Sequence, residues 1–282
     1  MDTRLATFLE VIDTRNYTKA SKNLHITQPA VTKHIHSLEE EFGVKLFTYD
    51  GKKILMTKEA ERLESYARGL QKNYRDLVDS FRAAPLKKIR IGLTKTIGNY
   101  AYVEELSRMM KNRTNEFAIT IDNTGMLLDQ LRNAQLDFLI VEGRFSKSEF
   151  DYEVLTQDLF TGLCAPGDPL AKGVFNMEEL GEACLLLREP GSGSREILEQ
   201  KLQYKGYDVG DFKRLITCSS LQLITKLVER EVGITFGYES ILKEEPNLAT
   251  FHVRGITDRH EFSLVALKGT GGIELYHELK RT

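Results

Sequence analysis

The chain has 282 residues, with 39 basic and 41 acidic side chains and a formal net charge of −2. This length suits two or three domains, and the charge excludes a globally basic nucleic-acid-binding chain, so any such contact needs a local patch. The three cysteines are odd in number and lack C-x-x-C spacing, which argues against a disulfide scaffold or zinc site. We find no apolar run of membrane-spanning length and no signal-peptide core, and therefore expect a soluble cytoplasmic protein.

Residues 1–57 predict a small helical domain. One helical face carries Leu5, Phe8, Leu9 and Ile12. We expect Thr18 to cap a second helix and Thr27 to cap a third, because Pro29 then falls in the first turn, where a missing N–H costs nothing. The apolar stripe of the third helix is Val31, Ile35 and Leu38. Only the short segment "HIT" separates the second and third helices, which predicts a helix-turn-helix.

The segment "VKLFTYDGKKILMT" follows this helical pair. It alternates around Asp50-Gly51, a dipeptide typical of hairpin turns. A hairpin behind a helix-turn-helix is a wing.

Residues 58–84 carry an apolar stripe with regular three- and four-residue spacing. Its members are Ala60, Leu63, Ala67, Leu70, Tyr74, Leu77, Phe81 and Ala84, and Pro85 ends the pattern. Two apolar positions in seven form a narrow seam that favours a partner helix, so we predict dimerisation through Leu63, Leu70, Tyr74, Leu77 and Phe81. Ala60 and Ala67 are expected to let the partner approach closely. The alternative is a helix that lies on its own domain.

Strand-like and helix-like segments alternate from Lys87 onward, in two successive series. The first includes "KIRIGL", "AITIDN" and "DFLIVEG", and the second "ACLLL", "FKRLITC" and "VGITFG". This alternation predicts parallel sheets covered by helices and two α/β lobes. Ligands of such sheets bind beyond the carboxyl ends of the strands.

The segment "TQPAVTKHIHSLEEEFGVKLF" resembles the N-terminal domain of the LysR-type transcriptional regulators. The later segments "LTKTIGNY", "FLIVEG", "EPGSGSR" and "EVGITF" resemble successive landmarks of that family's effector-binding domain. "TIGNY" and "VEG" are most similar to the branch that regulates sulfur or carbon-fixation genes. One departure is Tyr49, which stands in the wing where the family often has arginine.

The resemblance implies a fold of the α plus α/β class in three parts. These are a winged helix-turn-helix (1–57), a linker and dimerisation helix (58–86) and a two-lobed effector domain similar to periplasmic binding proteins (87–282). Lobe I would span about 87–161 and 265–282, and lobe II about 162–264. The resemblance also implies a homodimer or homotetramer on a pseudo-palindromic promoter site, with RNA polymerase as a further candidate partner.

The polar side of the third helix is the predicted DNA-reading surface. An amide, a hydroxyl and a long cation suit base edges and phosphates in the major groove, and the helix N-terminus suits a phosphate. The predicted DNA-binding residues are Thr27, Gln28, Pro29, Thr32, Lys33 and His36, with Lys52 and Lys53 of the wing. A solvated face is the alternative. Metal binding by His34 and His36 is disfavoured because residues two apart do not share a helix face.

Hydroxyl-rich segments between strands and helices predict an effector site. The candidates are Thr94, Lys95, Thr96, Thr124, Ser192, Ser194, Ser219 and Ser220, which suit a small anion. Each could instead be a helix cap. "GSGSR" lacks the Walker and dinucleotide patterns and the elbow of the serine hydrolases. Cys218 could sense redox state, although a small core residue is the commoner role.

We therefore predict a DNA-binding regulator that responds to a small, anionic effector, with no cofactor or metal. One alternative is a small-molecule-binding module without specific DNA binding. Another is an acyl- or phosphoryl-transferring enzyme, but we find no coherent catalytic set of residues.

Overall fold

The computed structural model describes residues 2–51, 53–81, 86–111 and 115–281. The chain divides into two compact units. The first comprises Met1–Pro85 with the short segments Arg132–Ala134 and Leu267–Gly271, and the second comprises the remainder. Within the described ranges, the structure contains no helix with the length and apolar content of a membrane span.

The first unit begins with three helices, α1 (Thr3–Thr14), α2 (Tyr17–Asn23) and α3 (Gln28–Phe42). Phe8, Val11, Val31, Ile35 and Leu38 are almost fully buried in one core. Burial of each such side chain contributes about 1.5–3 kcal/mol, so the predicted stripe of α3 holds the three helices together.

The caps set the helix boundaries. Thr27 caps α3, as predicted, and its hydroxyl accepts a hydrogen bond from the Ala30 amide at 3.3 Å. The prediction of Thr18 as the cap of α2 is wrong. Asn16 holds that position and accepts from the Lys19 amide at 2.9 Å, because the helix starts at Tyr17 and Thr18 therefore lies inside its first turn. Gly43, with φ of +65°, ends α3 in the left-handed conformation.

The wing is a hairpin of β1 (Phe47–Asp50) and β2 (Lys53–Met56). Asp50 pairs with Lys53, so Asp50 belongs to the strand and the turn begins one residue later than predicted, at Gly51 with φ of +60°. Glu39 of α3 holds the segment that leads from α3 into the wing. It is buried and accepts from the Leu46 amide at 2.9 Å and from Lys45 Nζ at 2.7 Å.

The long helix α4 (Lys58–Phe81) divides its apolar stripe between two roles. Ala60 and Ala67 are fully buried in the core of their own unit, and Leu63 packs against it. The expectation that the two alanines receive a partner helix is therefore wrong, because α1 and the wing already occupy that space. Leu63, a predicted dimerisation residue, contacts the core of its own unit instead. The rest of the stripe is exposed to solvent, with Tyr74 at 55% and Phe81 at 79%. Ala84 lies outside the described residues.

The second unit is built on a large mixed sheet. Its strands are β3 (Lys87–Thr94), β4 (Asn115–Asp122), β5 (Phe138–Glu142), β6 (Phe150–Cys164), β7 (Val174–Phe175), β10 (Thr235–Tyr238), β11 (Ala249–Val253) and β12 (Asp258–Leu267). They run in the order β4-β3-β5-β12-β6-β11-β7, with β10 also paired to β6. A separate parallel pair joins β8 (Cys184–Arg188) to β9 (Arg214–Cys218).

Two lobes share this sheet through β6 and β12. The first lobe contains β3, β4, β5 and the part of β12 that pairs with β5, with α5 (Val103–Met110), α6 (Thr124–Arg132) and α9 (Gly272–Arg281). The second contains the distal half of β6 with the remaining strands, α7 (Gly193–Tyr204) and α8 (Leu221–Glu229). The fold is thus a helix-turn-helix with a wing, a long helix and a two-lobed α/β domain, as predicted.

The prediction of purely parallel sheets is wrong. β3 is parallel to β4 and β5, but β12 is antiparallel to β5, and both β10 and β11 are antiparallel to β6. The alternation of strands and helices predicts parallel neighbours only where each helix brings the chain back to the end of the sheet at which the preceding strand began. Strand β6, which has 15 residues, was not identified because much of its length alternates without a continuous apolar run.

Candidate DNA-binding surface and effector cleft

The exposed side of α3 gathers most of the predicted DNA-binding residues. Thr27, Gln28, Pro29, Lys33 and His36 are exposed, and Thr32 is partly exposed. They lie opposite the buried stripe of the same helix because side chains follow its 3.6-residue period. Lys53 of β2 is also exposed, whereas Lys52 lies outside the described residues.

Polar contacts on this side are local and weak. Gln28 Nε2 donates to Thr32 Oγ1 at 3.3 Å, and Thr32 Oγ1 donates to the Gln28 carbonyl at 3.2 Å. Lys33 pairs with no carboxylate within the described ranges. His36 Nδ1 lies 3.4 Å from Glu39 Oε2. The amide of Gln28, the hydroxyl of Thr32 and the ammonium of Lys33 can therefore bind a ligand at a small cost in free energy.

Two further cations on α2 were not selected from the sequence. Lys19 and Lys22 are exposed, and neither pairs with a carboxylate among the residues that the structure describes. Their spacing gave no separate signal, because solvated lysines are common on any helix. By contrast, Arg4 is held by Asp2 and Glu41, at 2.7 and 2.6 Å.

His34 and His36 contact different neighbours. His34 Nδ1 lies 2.8 Å from Thr7 Oγ1 and so ties α3 to α1. Across the described part of the chain, no group of three His, Cys, Asp or Glu residues is placed to hold a metal ion.

Three of the predicted effector residues, Thr94, Thr96 and Thr124, meet around the carboxyl ends of β3, β4 and β5. Thr94 and Thr96 are buried and hydrogen bond to the Glu142 carboxylate, while Thr124 Oγ1 donates to the Glu142 carbonyl at 3.4 Å. Gly193 at the start of α7 lies against this group. A Cβ there would lie 2.8 Å from the Glu142 carbonyl oxygen, so only glycine permits this approach.

The second lobe completes the cleft. Ser192 and Ser194 are buried, and their hydroxyls lie 3.1 Å apart at the N-terminus of α7. Lys95 Nζ donates to Glu189 Oε1 and to the Ser219 carbonyl, each at 2.8 Å. Ser220 caps α8 by accepting from the Leu223 amide at 3.2 Å, so for this residue the capping alternative holds.

The cleft contains two carboxylates that were not predicted from the sequence, Glu142 and Glu189. Burial raises the pKa of the Glu142 carboxyl, although hydrogen bonds from Thr94 and Thr96 oppose this effect. Burial also acts on Glu189, but hydrogen bonds from Arg188 and Lys95 outweigh it and lower its pKa. The available signal for Glu142 was an acidic residue that ends the apolar strand "FLIVE", where burial of a charge requires partners.

Cys218 is partly exposed at the end of β9, and Ser220 N lies 3.4 Å from its sulfur. Cys218 thus belongs to the turn that leads into the N-terminal cap of α8. Cys164, Cys184 and Cys218 are all free thiols, so none of the three is in a disulfide.

Comparison with known proteins agrees with this architecture. Residues 3–61 match the model of the bacterial regulatory helix-turn-helix proteins of the lysR family, and residues 82–275 match that of the LysR substrate binding domain.

Individual relatives extend over nearly the whole chain. The uncharacterized HTH-type transcriptional regulator YeiE of Escherichia coli (strain K12) is 30% identical over 248 residues, which cover 88% of this chain and 83% of YeiE. The RuBisCO operon transcriptional regulator of Allochromatium vinosum is 23% identical over 94% of this chain and 89% of its own. Among solved structures, a full-length point variant of OxyR from Pseudomonas aeruginosa superimposes with a TM-score of 0.62, at 18% identity, over 100% of this chain and 94% of that chain.

The family consists of regulators and not of enzymes, so the transferase alternative is excluded. The two matching models cover the helix-turn-helix of the first unit and most of the second unit. The chain therefore belongs to the LysR family of DNA-binding transcriptional regulators.

Proposed function

We propose that the exposed side of α3 reads promoter DNA in the major groove. The observation that carries this proposal is the division of α3, whose Val31, Ile35 and Leu38 are buried while Gln28, Thr32 and Lys33 face solvent. A major groove about 12 Å wide admits one helix, and only the exposed side of that helix can reach the base edges.

Each side chain has a role that follows from its chemistry. Gln28 and Thr32 bond weakly to each other and can exchange that contact for base edges. Lys33 suits a phosphate, as do Lys53 of the wing and Lys19 and Lys22 of α2. Thr27 is occupied as the helix cap, so we assign it the placement of the α3 N-terminus against a phosphate.

A second copy of the chain is proposed to pack on the exposed part of the α4 stripe. Leu70, Tyr74, Leu77 and Phe81 are between 37% and 79% exposed. Apolar side chains at this spacing along a 24-residue helix suit a partner helix, and two copies would present two reading helices to a pseudo-palindromic site.

The cleft of the second unit is proposed to bind a small anion. Hydroxyls of Thr94 and Thr96 bind the Glu142 carboxylate, Gly193 at the N-terminus of α7 lies against the Glu142 carbonyl, and Lys95 supplies a cation through its contact with Glu189. An external anion would compete with this carboxylate for the same hydroxyls. Because Lys95 links β3 to Glu189 and Ser219 across the cleft, such competition would alter how the lobes close.

Coupling to DNA then requires a difference in affinity. The anion changes promoter binding only if it binds one arrangement of the lobes more tightly than another. We propose that lobe closure changes the spacing of the DNA-reading helices in the oligomer.

A gel shift with the chain's own upstream region, titrated with salt, tests the DNA proposal. We expect a specific shift whose affinity falls steeply with salt, because each phosphate contact releases about one counterion. An equal affinity for unrelated DNA of the same length would refute promoter reading.

Replacing Thr96 by alanine is expected to abolish stabilisation of the protein by its small anionic effector. In a thermal-shift series with sulfate, phosphate and small carboxylates, an anion that binds the native chain should raise Tm saturably by mass action. Thr156→Ala removes an exposed hydroxyl of β6 outside the cleft and should leave the response intact. An unchanged response in Thr96→Ala, or no response to any anion in the native chain, would refute the cleft assignment.

Anion binding in the cleft is expected to strengthen as pH falls. Burial raises the pKa of Glu142, so its neutral form gains population well before an ordinary glutamate would, and repulsion of the ligand decreases. The gain is at most about ten-fold per pH unit, because one proton is taken up. Calorimetric titration with sulfate, whose charge is constant over this range, measures it.

Glu142→Gln is the matched variant for this test. It should bind sulfate more tightly at neutral pH and with little pH dependence. A pH slope that survives the substitution would assign the proton to another group.

A further inference from the structure

We propose that the second unit has another ligand site, outside the effector cleft, that binds an organic phosphate of nucleotide size. The site is a groove of about 1150 Å³ formed by the loop after β5, the outer side of α7, the start of β12 and Gln157 of β6. We call it the hinge groove, because β6 and β12 pass between the two lobes there. Its described lining does not include Thr94, Thr96, Thr124 or the serines of the cleft.

The hinge groove carries an excess of positive charge. Its cations are Arg144, Lys147, Lys201 and Arg259, and its acids are Asp258 and Glu261. Lys201 Nζ lies 2.5 Å from Asp258, and Lys147 Nζ lies 3.5 Å from Glu261. In each pair the positive charge of the lysine is balanced by the negative charge of its carboxylate.

Arg144 and Arg259 supply the remaining charge. Both side chains belong to exposed residues, and neither pairs with a carboxylate in the ranges that the structure describes. Guanidinium groups bind phosphate oxygens through two parallel hydrogen bonds, which a lysine cannot do. Two such groups facing one groove favour a ligand with several phosphate oxygens.

The size and remaining chemistry of the groove favour an organic ligand over an inorganic ion. A volume of about 1150 Å³ is far larger than an isolated oxyanion needs. Tyr204 at the end of α7 is 89% exposed and offers an aromatic face on which a planar ring can stack.

Three glutamines add a hydrogen-bonding edge. The side chains of Gln157, Gln200 and Gln203 line the groove and make no hydrogen bond to another described residue. Each amide both donates and accepts, which matches the mixed pattern on the edge of a nitrogen heterocycle. Phosphates at the arginines and a heterocycle at Tyr204 together describe a nucleotide.

Occupancy of this groove would act on the hinge. Arg144 follows β5 of the first lobe, whereas Gln200, Gln203 and Tyr204 belong to α7 of the second. A ligand that contacts both sides favours the lobe arrangement in which the two sets are correctly spaced. A ligand in the hinge groove would therefore affect the arrangement of the lobes independently of a ligand in the effector cleft.

Calorimetric titration of the full chain with ATP, inorganic pyrophosphate and adenosine tests the proposal. We expect saturable binding of ATP at one site per chain. Pyrophosphate and adenosine should each bind about ten-fold more weakly or worse, because each offers half of the recognised chemistry. No saturable ATP binding, or pyrophosphate binding as tight as ATP, would overturn the proposal.

Variants locate the site. Arg144→Gln combined with Arg259→Gln should weaken ATP binding by about ten-fold or more, and Tyr204→Ser should weaken binding of ATP but not of pyrophosphate. All three side chains belong to exposed residues, and circular dichroism verifies that the variants fold. The control Arg214→Gln removes an exposed arginine of β9 outside the groove and should have no effect.

Thr96→Ala separates this site from the effector cleft. ATP binding should be unchanged in this variant, whatever it does to the response to small anions. Loss of ATP binding in Thr96→Ala, or full binding in the double arginine variant, would place the nucleotide elsewhere and overturn the assignment.

Discussion

Replacing Thr32 and Lys33 by alanine should abolish specific DNA binding while the chain keeps its fold and oligomeric size. Thr32 loses a base-edge contact and Lys33 a phosphate contact, and a good base contact is worth about 1–3 kcal/mol. In an assembly with two reading helices these losses double, so the affinity for the promoter should fall by about 100-fold or more. The gel shift of the native and variant chains measures this loss.

The two positions can be separated by their dependence on salt and sequence. Lys33→Ala alone should weaken binding to all sequences and reduce the salt slope by about one per subunit. Thr32→Ala alone should relax the preference for one base and leave the salt slope unchanged. Arg62→Ala is the matched control, because it removes one exposed cation from α4 in the same unit. If the double variant shifts the promoter as well as the native chain does, α3 is not the reading helix.

Replacing Tyr74 and Phe81 by glutamate should convert the oligomer to a smaller species. The side chains are 55% and 79% exposed within the chain, so the substitutions should leave its fold intact. If a partner helix covers them, four carboxylates are brought together at a dimer seam, where burial of unpaired charge costs several kcal/mol. Sedimentation velocity should then show loss of the dimer at micromolar concentration, and promoter affinity should fall with it.

Arg75→Glu is the control for this experiment. Arg75 is exposed on the same helix and is neither three nor four residues away from any member of the stripe. It should leave the oligomer unchanged. A native chain that sediments as a monomer, or a double glutamate variant that sediments as the native chain does, would contradict pairing through α4.

The helix-turn-helix was predictable because its determinants are local. Thr27 caps α3, Pro29 falls in its first turn and Gly43 ends it, and each of these follows from the conformation of one residue. Where two caps competed, local rules were insufficient. Asn16 and not Thr18 caps α2, because the helix starts at Tyr17, whose ring lies 6.2 Å from that of Phe47, and Thr18 falls inside the first turn.

The α4 stripe shows the limit of periodicity. Ala60, Leu63 and Ala67 obey the same spacing as Tyr74 and Phe81, yet the first three pack inside their own unit and the last two are exposed. The spacing specifies that a helix has an apolar side. It does not specify whether that side packs against the same chain or against a second chain, because an apolar surface of either can cover it.

By itself, the sequence determined the helices of the first unit, the exposed polar side of α3, the alternation of strands and helices, and the hydroxyls that gather at the strand ends. Only the tertiary structure decided that β12 runs antiparallel to β5 and β10 antiparallel to β6, that Glu142 occupies the space among those hydroxyls, and that Arg144, Arg259 and Tyr204 line one groove. The physical reason is the range of the interactions. Capping and amphipathic periodicity act over three or four residues, whereas a buried carboxylate and a charged groove are produced by segments tens of residues apart, whose meeting depends on how the whole sheet is ordered.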